Sequence, residues 1–319
     1  MSTIYGGGVP LAQMTRSGFV ESRHHGSVVV LDGKGAVAEA TGDVVAPVFP
    51  RSSNKPMQAV GMLRQGLRPA DAADLAVICA SHFGQECHLS RVRAMLAAAG
   101  LDEDTLQCPP DLPLEQDARE SVLRAGGGPA RVQMNCSGKH TGMLLTCLAA
   151  GWSYETYRDP AHPLQQGLRE AVEDLAGEPV TATGVDGCGA PLFALSLTAL
   201  ATAFLRLVDA EPGSLERTVA DAMRAHPDLV AGTGAADTRL MAGIPGLLAK
   251  SGAEGVVAVA IPEVGAVAVK IDDGAARARL PVLVSALRRL DLGASVLDEL
   301  AETVVLGGGE PVGAVRPLY

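Results

Sequence analysis

Ser52 and Lys55 stand three apart in the stretch Arg51-Ser52-Ser53-Asn54-Lys55-Pro56. At the start of a helix, residues three apart lie on one face, one above the other. A serine hydroxyl is a poor nucleophile until a base takes its proton. A lysine one turn away is such a base once burial or a neighbouring cation depresses its pKa. The same S-x-x-K also suits an N-cap serine followed by a solvated lysine, and the motif alone does not decide between the two.

Three further clusters carry chemistry. Lys250-Ser251-Gly252 precedes an apolar strand-like run, and serine acyl enzymes that use S-x-x-K also use a lysine-hydroxyl-glycine triplet far downstream. The plain reading of the triplet is a charged strand-entry turn. Ala80-Ser81-His82-Phe83-Gly84-Gln85-Glu86 follows the apolar DLAVICA, so Ser81 is a candidate second hydroxyl, paired with Lys250. Taken by itself, that cluster reads as another helix cap. Asn135-Cys136-Ser137-Gly138-Lys139-His140 puts a cysteine at the start of an apolar helix, where the helix dipole favours a thiolate. Val185-Asp186-Gly187-Cys188-Gly189 offers a second glycine-flanked cysteine. Two thiolates and one nitrogen make a tetrahedral zinc set with an open fourth position. On chemistry alone His140 is the more usual nitrogen donor, because the amine of Lys139 must first lose a proton. On spacing alone two unrelated buried cysteines are favoured, since neither C-x-x-C nor H-x-x-H is present.

The elements that must position these residues follow from periodicity. Residues 26–32 and the runs 36–43 and 44–50 read as a small antiparallel meander. A helix begins near Ser52 with Met57, Val60, Met62 and Leu63 on its apolar face. Helical patterns cover 88–100, 138–151, 162–177, 190–207 and 215–230. Strand-like runs at 254–263 and 265–274 form a tight hairpin, and a helix follows at 276–293. The glycines 307–309 mark an exposed turn, not a phosphate loop. The order of strands, helices, then strands and a helix predicts an α+β fold: an antiparallel sheet built from both chain ends, with packed helices and a helical lobe. We expect one domain over 1–319, with the sheet-containing lobe from about 18–60 and 250–319 and the mainly helical lobe at about 85–245.

Composition bounds the partners. The chain has 319 residues, is 47% hydrophobic and carries a net charge of −10, without a Lys/Arg run. That argues against a nucleic-acid or anionic-membrane surface. The N-terminal stretch lacks the pattern of a secretory signal. The apolar stretch 189–205 is interrupted by Pro191, Ser196, Thr198 and Thr202 and reads as a buried helix, not a membrane span. Six scattered cysteines favour free thiols or metal ligands over a disulfide framework. A cytoplasmic protein is expected.

RSSNKPMQ, CASHFGQE, NCSGKH, DGCGAP, LLAKSGAEG and VKIDDG occur in this order. Together they resemble the rhizobial-type L-asparaginase family, also called asparaginase II or class 3, over roughly residues 18–275. The resemblance implies a fold similar to serine β-lactamases and glutaminases. It also implies two serine-lysine tandems, Ser52 with Lys55 and Ser81 with Lys250, and a zinc held by Cys136, Lys139 and Cys188, with Lys139 in place of His140. Arg51, His140 and Asp186 match family positions near the substrate and suit a zwitterionic amino acid. The expectation is an L-asparaginase that cleaves L-asparagine to L-aspartate and ammonia. Ser52 acts as nucleophile in this reading, although the two serines could exchange roles. Zinc binds or orients substrate, and the family implies a homodimer. Two alternatives are a glutaminase- or β-lactamase-like acyl hydrolase, and a non-catalytic zinc-stabilised amino-acid-binding protein. Against a β-lactamase stands the lack of an S-D-N motif. Against mere binding stands the cost of placing two lysines beside two serines in a buried cleft.

Overall fold

The computed structural model describes residues 4–319. The chain opens with β1 (Val9–Arg16), β2 (Phe19–Asp32), β3 (Val37–Thr41) and the two-residue β4 (Pro47–Val48). Helices follow: α1 (Lys55–Arg64), α2 (Ala72–Ile78), α3 (Glu86–Ala98), α4 (Gln116–Arg124), α5 (Ser137–Ala150) and α6 (Pro163–Ala176). Three short strands, β5 (Thr183–Val185), β6 (Pro191–Phe193) and β7 (Leu195–Ser196), lead into α7 (Leu197–Asp209), α8 (Leu215–Ala225), α9 (Pro227–Val230) and α10 (Ala236–Gly243). The chain closes with β8 (Leu248–Ser251), β9 (Val256–Ile261), β10 (Gly265–Ile271), α11 (Ala276–Arg288), α12 (Ser295–Leu300), β11 (Thr303–Gly307) and β12 (Glu310–Pro317).

Among the described residues the main sheet has eight strands in the order β11-β12-β1-β2-β10-β9-β8, with β3 paired to β2. Every pairing is antiparallel. The sheet is therefore assembled from both chain ends, as the strand-helix-strand order predicts. All six residues of β9 are buried, which explains why its sequence, VVAVAI, lacks polar alternation: both faces are covered. Helices α7 and α11 both pack on β10, and α7 also covers β9 and β2.

The helices between the chain ends gather around α1, which packs on α5, α6 and α8. Residues 55–63 of α1 are all buried, Lys55 and Gln58 included. Burying Met57 and Met62 contributes roughly 1.5–3 kcal/mol each. Burying a lysine ammonium costs several kcal/mol unless partners compensate. The position of Lys55 thus calls for polar partners at the helix start. Among the described residues no helix is long and apolar enough to cross a membrane.

Several boundaries differ from expectation. The predicted N-terminal meander ends after the β2–β3 pair, and Pro47–Val48 pairs instead with Leu195–Ser196. Proline cannot donate to a ladder, so a strand containing Pro47 and followed by Pro50 stays short. The helix predicted over 190–207 begins only at Leu197, where Ser196 caps it by accepting from the Ala199 N–H. Residues 191–193 form a strand against 183–185. The helix predicted over 215–230 breaks at His226, ahead of Pro227, because a residue before proline is driven out of the helical region. Strands β1, β11 and β12 and helices α4, α10 and α12 were not anticipated. The GGG turn joins β11 to β12.

Candidate active site

Ser52 lies in a short 3-10 turn, Arg51–Asn54, that runs directly into α1. Arg51 has φ = +52°, in the left-handed region that non-glycine residues rarely occupy. The turn is braced from the sheet. Ser53 Oγ donates to the Lys250 carbonyl at 2.9 Å. At Gly252 a Cβ would stand 2.5 Å from the Pro50 carbonyl oxygen. The glycine of Lys250-Ser251-Gly252 is therefore a close-approach residue that lets the end of β8 lie against the Ser52 turn.

Both buried lysines converge on Ser81. Lys55 Nζ is 3.0 Å from Ser81 Oγ and also donates to the Ala80 carbonyl. Lys250 Nζ is 3.1 Å from the same Oγ and 2.7 Å from the Ser251 carbonyl oxygen. Ser81 itself follows α2, and its N–H bonds to the Val230 carbonyl. Burial pushes the Lys250 amine down to about 8. Asp237, 3.9 Å away, opposes that shift, and the charge of Lys55 adds to it. Asp237 is in turn held by Ser251, whose N–H and Oγ donate to its two oxygens at 2.7 and 2.5 Å. Ser52, Ser81, Lys250, Asp237, Asn135 and Arg279 line one cavity of about 250 Å³, a volume suited to a small molecule. The structure thus brings Ser52, Ser81 and Lys250 together around one hollow, with Lys55 behind Ser81. The S-x-x-K pair differs in detail from expectation: the Lys55 ammonium bonds to Ser81, not to Ser52.

The sulfur cluster sits at the start of α5. Gly138 is required there, since a Cβ would stand 2.2 Å from the Val77 carbonyl oxygen of α2. Cys136, Lys139 and Cys188 are all buried, and Lys139 Nζ is 3.1 Å from Cys188 Sγ. Cys136 Sγ donates to Asn135 Oδ1 at 3.2 Å, and the mutual influence of the two sulfurs divides them, favouring the Cys188 thiolate and holding the Cys136 proton on. Burial pulls Lys139 down, but Cys188, Cys136 and Asp186 outweigh it, and its pKa rises above the ordinary value. His140 Nδ1 is 2.6 Å from the Tyr157 hydroxyl, and its Nε2 is buried with no hydrogen-bond partner. Burial lowers its pKa, against the pull of Cys188.

His82 ties the two clusters together. Its N–H bonds to the Asn135 carbonyl, and its Nε2 is 2.8 Å from Ser137 Oγ at the first residue of α5. Burial, His88 and Lys55 hold it neutral, its pKa well below the ordinary range. The neutral ring donates from Nε2, because Ser137 Oγ already donates to the Val132 carbonyl.

Arg51 and Asp186, which the resemblance places beside the substrate, are paired with each other at 2.8 Å. Arg51 Nη1 is also 3.5 Å from Glu254. Arg51 and Asp186 line other hollows than the one holding Ser52 and Ser81. Sequence reasoning missed Asp237 and Arg279. Neither carries a local signal, since each reaches the cavity only through tertiary contacts: α10 packs on β8, and Arg279 of α11 bonds to the Gly252 carbonyl just past β8.

The family model described as L-asparaginase II matches residues 12–317. The chain belongs to the L-asparaginase II family. Membership supports an amidohydrolase. No curated protein matches the sequence significantly. Among solved structures, the chain is similar to Mglu in its native form at 16% identity and a TM-score of 0.46, covering 83% of this chain and 63% of that one. This chain therefore spans less than two thirds of Mglu. It is also similar to a β-lactamase (Mb2281c) from Mycobacterium bovis, at 16% identity and a TM-score of 0.41, with 86% and 93% of the two chains covered. A Bacillus glutaminase is similar at 14% identity and a TM-score of 0.34, with 78% and 83% covered.

Proposed function

We propose that this chain is an L-asparaginase that hydrolyses the side-chain amide of L-asparagine to L-aspartate and ammonia through a serine acyl-enzyme. The observation that carries the reading is the convergence of two buried lysine amines on Ser81 Oγ, in the wall of a cavity that Ser52 shares. Structural lysines have no reason to meet at one hydroxyl. A base and a proton relay do.

In this mechanism Ser52 Oγ attacks the amide carbon and gives up its proton into the Ser81–lysine network, since Lys55 bonds to Ser81 and not to Ser52. Ser81, bonded to both amines, relays that proton toward Lys250 and on to the departing ammonia. With a pKa of about 8, roughly a tenth of Lys250 is neutral at pH 7, poised to accept and return a proton. Water then attacks the aspartyl ester with the same amines as base, and the serine regains its proton as aspartate leaves. The lysine geometry also favours a second reading in which Ser81 is the nucleophile and Ser52 the relay. Quenching turnover of the β-ester of L-aspartate and mapping the aspartyl adduct by mass spectrometry separates the two. An adduct on Ser52 supports the first reading and one on Ser81 the second. Turnover with neither serine modified, and retained by the S52A/S81A double variant, overturns the acyl-enzyme.

We further propose that Cys136, Lys139 and Cys188 hold zinc. Two buried sulfur donors and one nitrogen, with Lys139 Nζ already 3.1 Å from Cys188 Sγ, are a chemically fitting set. Among the described residues no group of three or more His, Cys, Asp or Glu side chains is placed to hold a metal, and in the proposed set Lys139 is the third ligand. A zinc ion bound there supplies Lewis acidity for binding and orienting substrate. Lys139 and Cys136 must both release protons to ligate it, so uptake is expected to acidify a weakly buffered solution, measured by pH-stat titration. We also propose a homodimer, which sedimentation equilibrium tests.

A further inference from the structure

Arg279 stands in the first turn of α11 and lines the cavity that holds Ser52, Ser81 and Lys250. Its Nη1 donates to the Gly252 carbonyl at 2.9 Å. Its Nε is buried with no hydrogen-bond partner. No carboxylate among the described residues lies within ion-pair distance of it. The acid that acts on it, Asp237, has its oxygens committed to the Ser251 N–H and Oγ, with Lys250 3.9 Å away. Burial lowers the Arg279 pKa, with only Asp237 opposing.

A partly desolvated guanidinium without an anion is costly, and its planar fork of donors matches a carboxylate. The other arginine of this region is committed: Arg51 faces Asp186 and Glu254. Resting on the amidohydrolase reading of the site, we infer that Arg279 is the anchor for the α-carboxylate of an amino-acid substrate. The reacting side-chain amide then lies at the Ser52–Ser81 end of the cavity, and the carboxylate at the α11 end. Specificity follows directly, since amides without a free α-carboxylate leave the guanidinium unpaired and bind poorly.

The competing role is structural, with Arg279 merely clamping the Gly252 carbonyl. Calorimetric titration of the full chain with L-aspartate and with L-isoasparagine, whose α-carboxylate is a neutral amide, separates the two. Wild type is expected to bind aspartate at least tenfold more tightly than isoasparagine. In R279Q the aspartate Kd rises on the order of 10- to 100-fold, the range for loss of a charge-assisted hydrogen bond, while the isoasparagine Kd changes less than about threefold. If R279Q does not fold, R279K carries the test. It keeps the charge but loses the fork, and is expected to weaken aspartate about tenfold. Three outcomes overturn the anchor: unchanged aspartate affinity, equal weakening of both ligands, or a wild type that binds neither. Ammonia release from L-asparagine, run alongside, keeps the two readings apart. A wild type that binds aspartate through Arg279 yet releases no ammonia overturns the proposed reaction and leaves the anchor standing. Ammonia release with an unchanged KM in R279Q overturns the anchor alone.

Discussion

Lys139 and Lys250 are both buried, at 2% and 1% exposure, yet their environments push them in opposite directions. Lys139 faces a sulfur pair and Asp186, and its charged form is favoured despite burial. Lys250 has one carboxylate at 3.9 Å and the Lys55 charge against it, and its charged form is disfavoured. Burial alone therefore does not set the state of a lysine. The balance of anions and cations around it does, and one fold holds an ammonium in the sulfur cluster while preparing an amine in the serine cavity. Asn135 lines the serine cavity, and its neighbour Cys136 stands at the N-cap position of α5.

The sharpest way to break the comparison is K250M. Removal of the depressed amine is expected to lower kcat/KM on the order of 10³- to 10⁴-fold. Stability is expected to change little, because the cost of the buried ammonium goes while Asp237 loses that cation but keeps the Ser251 N–H and Oγ. Ammonia release and urea denaturation read the two quantities. Activity within tenfold of wild type ends the role of Lys250 as a base. K139M is expected to lower stability in the metal-free protein. There it leaves a buried thiolate without its cation and costs about 3–5 kcal/mol, as for other buried pairs that lose one partner. A denaturation midpoint equal to that of wild type would mean that Cys188 is not ionised in the fold.

A smaller effect sharpens the Lys250 half. A base must be neutral to act, so kcat/KM is expected to climb with pH up to about 8 and then level off. The D237N variant removes the anion that favours the charged form, so the midpoint moves to lower pH, by about one unit. A midpoint that stays put, or moves up, breaks the assignment. The same depressed pKa fixes the sign for stability. Between about 8 and the ordinary 10.5 the unfolded chain holds a proton that the folded Lys250 has lost, so this group's contribution to stability grows as pH rises through that window.

Much of this was legible in the sequence for local reasons. Helices α3, α5 and α6 fall within two residues of the predicted spans, because each has an unbroken apolar period. The β9–β10 hairpin reads from its apolar runs. Strands β1 and β12 and the edge strand β11 were not legible, because they bury too few residues to show a period. At the site, residue types and short spacings named Ser52, Lys55, Ser81 and Lys250 as candidates, whereas Lys139 entered the sulfur set only through the family resemblance, since residue chemistry alone favoured His140.

Sequence by itself determined the serines and lysines to look for, though not Asp237 or Arg279, and the ends of the chain that must meet to form the sheet. Only the tertiary structure decided which group bonds to which. Lys55 sits in the S-x-x-K beside Ser52, yet its ammonium bonds to Ser81, because the 3-10 turn ahead of α1 and the carbonyl of Ala80 set its direction. Arg51 and Asp186, 135 positions apart, neutralise each other. Arg279, on a helix that packs on β10 and β12, reaches the cavity by way of the Gly252 carbonyl and meets no carboxylate among the described residues within ion-pair distance there. The physical reason is that motif chemistry is written in neighbours along the chain. Charge partnership, and with it the protonation state of a buried amine, is set by neighbours in space.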